Sequence, residues 1–146
     1  MTRILIFLFF GVLLFSCGQT AKTDTPIPPS EVASAEALPA DFKAFYKQFH
    51  EDSLFQMAHI SFPLEGVPNY IDSSYTGNYF WKKEDWRMHR PFDPTFGGYD
   101  RSFSYNEYMV EETISDQYDF GTLRRFYKMD EEWMLIYYAG MNKFRR

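Results

Sequence analysis

The stretch DFKAFYKQFHEDSLFQMAHISFPL, residues 41–64, decides the fold, because its hydrophobic period changes partway along. Phe42, Phe45, Tyr46 and Phe49 recur at i, i+3, i+4 and i+7, which lays one aromatic face along a short helix, with Lys43, Lys47 and Gln48 on the wet side. Asp41 is placed to cap that helix at its start. Asp52 is placed to cap a second, shorter one in which Leu54, Phe55 and Ala58 continue the apolar face. From Ile60 the period drops to two: Ile60, Phe62 and Leu64 alternate with Ser61, Pro63 and Glu65, as in a half-buried strand, and Pro63 points to its edge or end.

Downstream, Gly66 to Asn69 turns the chain, Lys82 to Trp86 suits a helical turn, and Phe92 to Tyr99, with Pro94 and Gly97-Gly98, reads as a loop. Phe103 to about Ile114 alternates as a strand, Leu123 to Met129 as another, and Met129 to Glu132 makes a polar hairpin loop. In the strand after it, Trp133, Leu135 and Tyr137 alternate with Met134, Ile136 and Tyr138. Apolar on both faces, that strand belongs inside its sheet. Helix, helix, then several antiparallel strands predicts an α+β domain over residues 41–146, with two short helices packed on one face of a curved, mostly antiparallel sheet.

Upstream, residues 1–16 carry a secretory signal: Arg3 supplies the positive start and Ile4 to Phe15 the apolar run. At ~1.5 Å per residue that run covers roughly 18 Å, short of a ~30 Å hydrocarbon core. It ends in Leu14-Phe15-Ser16-Cys17, which resembles the lipobox of bacterial lipoproteins, in which such a cysteine is acylated and becomes the first mature residue. Cys17 is therefore the expected lipidation site and the membrane the expected partner, through an N-terminal lipid. Gly18 in place of an Asp favours the outer membrane over the inner, and the lack of a dense acidic run after Cys17 leans toward the periplasm. Residues 17–40 hold no aromatic residue and carry Pro26, Pro28, Pro29 and Pro39, so the expectation is a lipidated cysteine and a disordered tether.

Without its leader the chain has 14 basic and 20 acidic side chains, a balance that excludes nucleic acid and anionic surfaces as charge-driven partners. Cys17 is the one cysteine, so the fold holds by its core alone. Aromatic residues supply that core. All 26 of those outside the leader lie at Phe42 or later.

Chemistry is sparse. The three histidines, His50, His59 and His89, have no metal spacing, and neither metal nor cofactor is expected. His50 reads as a helix-end cap and His89 as part of an exposed basic stretch. His59, at the helix-to-strand junction, is either a buried histidine bonded to backbone or, paired with a carboxylate in the cavity between helices and sheet, a general acid/base. Glu111-Glu112 and Asp130-Glu131-Glu132 read as solvated charges rather than a glycosidase pair. No G-x-S-x-G elbow or phosphate cradle is present. Trp81, Trp86 and Tyr105 fall near loops where flat rings stack on a ligand, and Arg124 beside Phe126 offers a cation.

Residues 42–46, 52–57 and 61–64, with Trp81 and Trp86 beyond them, resemble an uncharacterised domain family of Gram-negative bacterial lipoproteins. The resemblance spans roughly Asp41 to Gly140. Its helix-then-sheet order is similar to the cone-shaped α+β fold of nuclear-transport-factor-like and cystatin-like domains, and it implies no activity. The reading is a lipid-anchored envelope protein that binds a small molecule or an envelope protein in the concavity of its sheet, with His59, Trp81, Trp86, Tyr105 and Arg124 as candidate site residues. An enzyme using His59 and a carboxylate is the alternative, and a homodimer burying the outer sheet face a third.

Overall fold

The computed structural model describes residues 31–33, 35–71, 75–95 and 97–144; the leader, Cys17 and the chain to residue 30 lie outside the described residues. Helix α1 (Ala40–Glu51) buries Phe42, Phe45 and Phe49, the face that the spacing predicts, and half-buries Tyr46. Its cap differs from the expectation. Pro39, extended and needing no N–H partner, precedes the helix, which places Asp41 in the first turn. There its carboxylate receives the Phe42 N–H at 2.9 Å, Trp133 Nε1 at 3.1 Å and Lys128 Nζ at 3.0 Å, tying the helix start to the sheet.

Helix α2 (Ser53–Ala58) is capped by Asp52, whose side chain accepts from the Leu54 and Phe55 N–H groups at 2.9 and 3.1 Å. Its apolar face is not where the sequence places it. Leu54 is 81% exposed and Ala58 is exposed too, while Gln56 is fully buried. The inner side of this short helix meets backbone carbonyls of Phe49 and His89, and an amide satisfies them where an alkyl group cannot.

Seven strands follow the order β1-β4-β5-β6-β7-β2-β3: β1 (Glu31–Ala33), β2 (Ile60–Val67), β3 (Tyr79–Trp81), β4 (Asp100–Tyr105), β5 (Met109–Ser115), β6 (Phe120–Met129) and β7 (Glu132–Lys143). All pairs are antiparallel except β2 with β7. Both helices belong to one face of this sheet, so the fold is α+β as the sequence predicts. Against that inner face Phe126 meets Phe42, Phe45 and Phe49 in edge-on contacts at 5.4–5.8 Å, and Leu64, Phe103, Val110, Trp133 and Leu135 complete the core.

The residues 17–40 expected to form a tether are corrected at their C-terminal end. β1 pairs with β4, Ala35–Ala37 forms a 3-10 turn, and Leu38 is 5% exposed. The free edge of β4 takes up a strand regardless of its composition, and Leu38 reaches the aromatic core; the absence of aromatic residues conceals both. Pro63 sits where its strand is locally unpaired on the β3 side, since β3 pairs only from Leu64. β2 lies between β7 and β3, and Pro63 falls where the β2–β7 register shifts between Ile60 and Glu65, a break in the ladder that asks no N–H of it. The run expected from Phe103 to Ile114 is two strands, because Asn106 Oδ1 accepts from the Tyr108 and Met109 N–H groups and turns the chain.

The last strand is interior, and it carries an irregularity that alternation alone does not reveal. Phe126 faces Leu135 but Arg125 faces Tyr137, so Ile136 is an extra residue in β7. Trp133 and Leu135 therefore point to the helices, Tyr137 to the outer face, and Tyr138 back to the inner one.

Candidate functional site

At the β2–β3–β7 end of the inner face four rings converge. Trp81 comes from β3, Trp86 and His89 from the loop after a 3-10 turn at Lys83–Asp85, and Tyr138 from β7. The two indoles stand 6.4 Å apart at 86°, Tyr138 lies 5.2 Å from Trp81 and 5.5 Å from Trp86, and the His89 imidazole lies 4.5 Å from Trp86 and 4.6 Å from Tyr138. Between them, with Asn69, Asp85 and Arg87 at the rim, is a cavity of about 150 Å³.

Two devices hold the rings in place. Gly66 lies opposite Tyr138, and its lack of a side chain lets the Trp81 Nε1–H cross to the Tyr138 carbonyl at 2.9 Å; a Cβ there would stand 2.7 Å from that nitrogen and 2.0 Å from the carbonyl oxygen. Gln56 anchors the loop. Its Nε2 donates to the Phe49 and His89 carbonyls at 2.6 and 2.8 Å, and its Oε1 accepts from the His89 N–H at 2.8 Å and Trp86 Nε1 at 3.2 Å, which exhausts the amide.

His89 is the unsatisfied member. Its Nδ1 is buried with no hydrogen-bond partner, and burial, followed by the nearby Arg124 and His50, holds the imidazole well below its usual range and therefore neutral. A neutral imidazole presents one donor and one acceptor, so this ring adds a polar edge to the aromatic part of the cavity wall.

Behind the rings lies a buried polar cluster. Arg124 donates through one guanidinium nitrogen to Glu112 Oε2 at 2.8 Å and to His50 Nε2 at 3.3 Å; Glu112 also receives the Tyr46 hydroxyl. His50 Nδ1 donates to the Tyr46 carbonyl at 2.8 Å, which leaves Nε2 as the acceptor. Burial, then the Arg124 charge, pushes His50 down to about 4, while burial and Glu112 push the Tyr46 phenol up. Arg101 lies over Tyr46, Phe92 and Phe103, 5.2–5.9 Å from their ring centres.

Of the residues that the sequence singles out, the structure brings Trp81 and Trp86 together and sets Arg124 in the cluster behind them. Tyr105, on β4, pairs with Val110 of β5 at the other end of the sheet and lines none of these groups. His59 is corrected as an acid/base candidate: Nδ1 bonds the Phe55 carbonyl at 2.8 Å, the ring stacks on Phe55 at 3.8 Å, and among the described residues no carboxylate bonds it. The backbone-bonded reading of His59 is the one that fits. Three other expectations are corrected. His50 is buried in the cluster rather than a simple cap, the His89 ring is enclosed rather than exposed, and Glu112 is fully buried rather than solvated. The sequence pattern marks neither Tyr138 nor Gln56 as a site residue. A usable signal exists for part of this set: Tyr46 and His50 are four apart on the predicted helix face, and Glu112 falls on the same strand parity as Val110. Among the described residues no group of His, Cys, Asp and Glu could hold a metal ion, and no helix is long and apolar enough to cross a membrane.

A crystal structure at 2.15 Å of an NTF2-like protein from Bacteroides fragilis NCTC 9343 aligns with this chain at a TM-score of 0.52 and 20% identity. The fold is NTF2-like. The alignment covers 70% of this chain and 47% of that one, so the chain spans about half the neighbour's length. No protein-family model matches the chain, and no curated protein does. The NTF2-like fold accounts for the helices set in a bent sheet and leaves ligand and chemistry to the side chains inside.

Proposed function

We propose that this chain is a lipid-anchored protein of the cell envelope, held in the outer membrane through Cys17 and facing the periplasm, whose NTF2-like domain binds a small molecule between Trp81, Trp86, His89 and Tyr138. The observation that carries the binding reading is the convergence of Trp81, Trp86, His89 and Tyr138 on one cavity held in shape by Gln56 and Gly66. The cavity suits a compact, flat molecule with one hydrogen-bonding group for the imidazole and faces for the indoles. In the polar cluster behind it Arg124 is paired with Glu112, and among the described residues no acid bonds His59, so an enzyme is the less supported reading. The Leu14-Phe15-Ser16-Cys17 ending supports the anchor.

Titrating a panel of single-ring aromatic and sugar compounds against the purified protein, with indole fluorescence as the readout, tests the binding site. A saturable change that is lost in Trp86→Ala and weakened at least tenfold in His89→Phe is the expected result. Ligands that bind both variants as tightly as the parent place the site elsewhere. Radiolabelled palmitate tests the anchor: labelling disappears in Cys17→Ala, and labelling that persists there refutes it.

A further inference from the structure

We propose that the outer face of the sheet carries a second binding site, for a single-chain amphiphile with an anionic head group. The cavity there, about 520 Å³, is larger than the aromatic one and lies within the size range of ligand sites. Its floor is Val67 of β2, Leu123 of β6, and Tyr137 and Ala139 of β7, and Ile71 and Phe144 close it in. These side chains are buried or half-buried, and together they line an open cavity among the described residues. Tyr137 and Lys143 lie six positions apart on β7, about 20 Å along an extended strand, so the shape is a trough suited to a chain rather than a ring.

The wall of the trough is preformed. Asn69 Oδ1 accepts from the Met141 N–H at 2.7 Å and the Tyr70 N–H bonds the Met141 carbonyl at 2.9 Å. Asn142, 6% exposed, accepts from the Ile71 N–H at 2.8 Å and donates to the Pro68 and Gly140 carbonyls at 2.7 and 3.1 Å. Bonded through both asparagines, the segment leading to Ile71 is pinned across β7 before any ligand arrives, which lowers the ordering cost of binding.

Charge selects the head group. Among the described residues that line the trough there is no carboxylate and there are two cations. Arg125 is held by Glu111 at 2.7 Å and lies 4.7 Å from the Tyr137 ring centre. Lys143, at the end of the trough, makes no ion pair among the described residues, and the sequence continues Phe144-Arg145-Arg146. An apolar floor ending at an uncommitted ammonium complements a tail ending in an acid.

Calorimetric titration of the full-length purified protein with octanoate, decanoate and dodecanoate, each below its micellar concentration, tests this. Affinity rises about fourfold per added CH₂, as expected for methylene burial. Dodecyltrimethylammonium binds at least tenfold more weakly than dodecanoate. Lys143→Glu, an exposed change that leaves the fold alone, weakens dodecanoate about fivefold, and Ala139→Leu, which fills the floor, weakens it further. Affinity indifferent to chain length, equal for both head groups, or unchanged in Lys143→Glu overturns the proposal. So does sedimentation as a dimer that excludes dodecanoate, since the occupant of the face is then a second copy.

Discussion

Glu111 and Glu112 are neighbours on β5, Arg124 and Arg125 are neighbours on β6, and the register sets Glu112 opposite Arg124 and Glu111 opposite Arg125. The two ion pairs are alike in length, 2.8 and 2.7 Å. Their surroundings are opposite. The side chains of Arg124 and Glu112 are 9% and 1% exposed under the aromatic core, and those of Arg125 and Glu111 are 39% and 27% exposed on the outer face. A strand turns successive residues to opposite faces, so one step along the chain separates a pair in a medium of low dielectric from a pair that water and salt screen. Geometry does not set the strength of an ion pair; burial does.

The sharpest way to break this comparison is to remove one partner on each side. Arg124→Ala strands Glu112 in the core and is expected to lower unfolding free energy by about 3–5 kcal/mol in urea denaturation. Replacing both partners, Arg124→Met with Glu112→Leu, recovers much of that loss, and a double variant no more stable than Arg124→Ala alone contradicts the account.

Acid is the next largest lever, and between pH 7.5 and 4.5 it acts through the buried histidines. His50 titrates near 6.5 when unfolded and near 4 in the fold, so between those values the unfolded chain holds more protons and stability rises with pH. The contribution is complete above about pH 6.5 and is lost as pH falls toward 4, up to about 3 kcal/mol. His89, also shifted downward, adds to the slope with the same sign. Urea midpoints measured from pH 7.5 to 4.5 are expected to fall, and to fall less steeply in His50→Gln. Smaller still is the loss of the cap on α2: Asp52→Ala costs about 1 kcal/mol. Last comes Glu111→Ala, expected to cost under about 1 kcal/mol and to lose that effect in high salt, whereas the Arg124→Ala deficit persists there.

Much of the architecture was legible because it follows from period. The i, i+3, i+4, i+7 aromatic face of α1, the Asp52 cap and the alternation from Ile60 each reflect local geometry. The candidate site was legible in part: two tryptophans beyond a strand and a turn announced themselves by residue type, and Arg124 by its place beside Phe126. His89, Tyr138 and Gln56 did not, because what brings them together is pairing across the sheet and one loop's hydrogen bonds to an amide 33 positions away. Spacing and parity place His50 and Glu112 on the inner face, but their meeting at Arg124 needed the same long-range information. A polar residue enters the core when a partner waits there, and no local pattern records the partner.

Ile136 sets the handedness of the division between the two cavities. Because it is the unpaired residue of that step, a chain without it would run Leu135, Tyr137 and Tyr138 in regular alternation against Phe126, Arg125 and Arg124, with Tyr137 still on the outer face and Tyr138 still on the inner one. Flattening the bulge with Ile136 retained would instead set Ile136 opposite Arg125 and Tyr137 opposite Arg124, exchanging the two tyrosines between compartments, though neither contains Ile136.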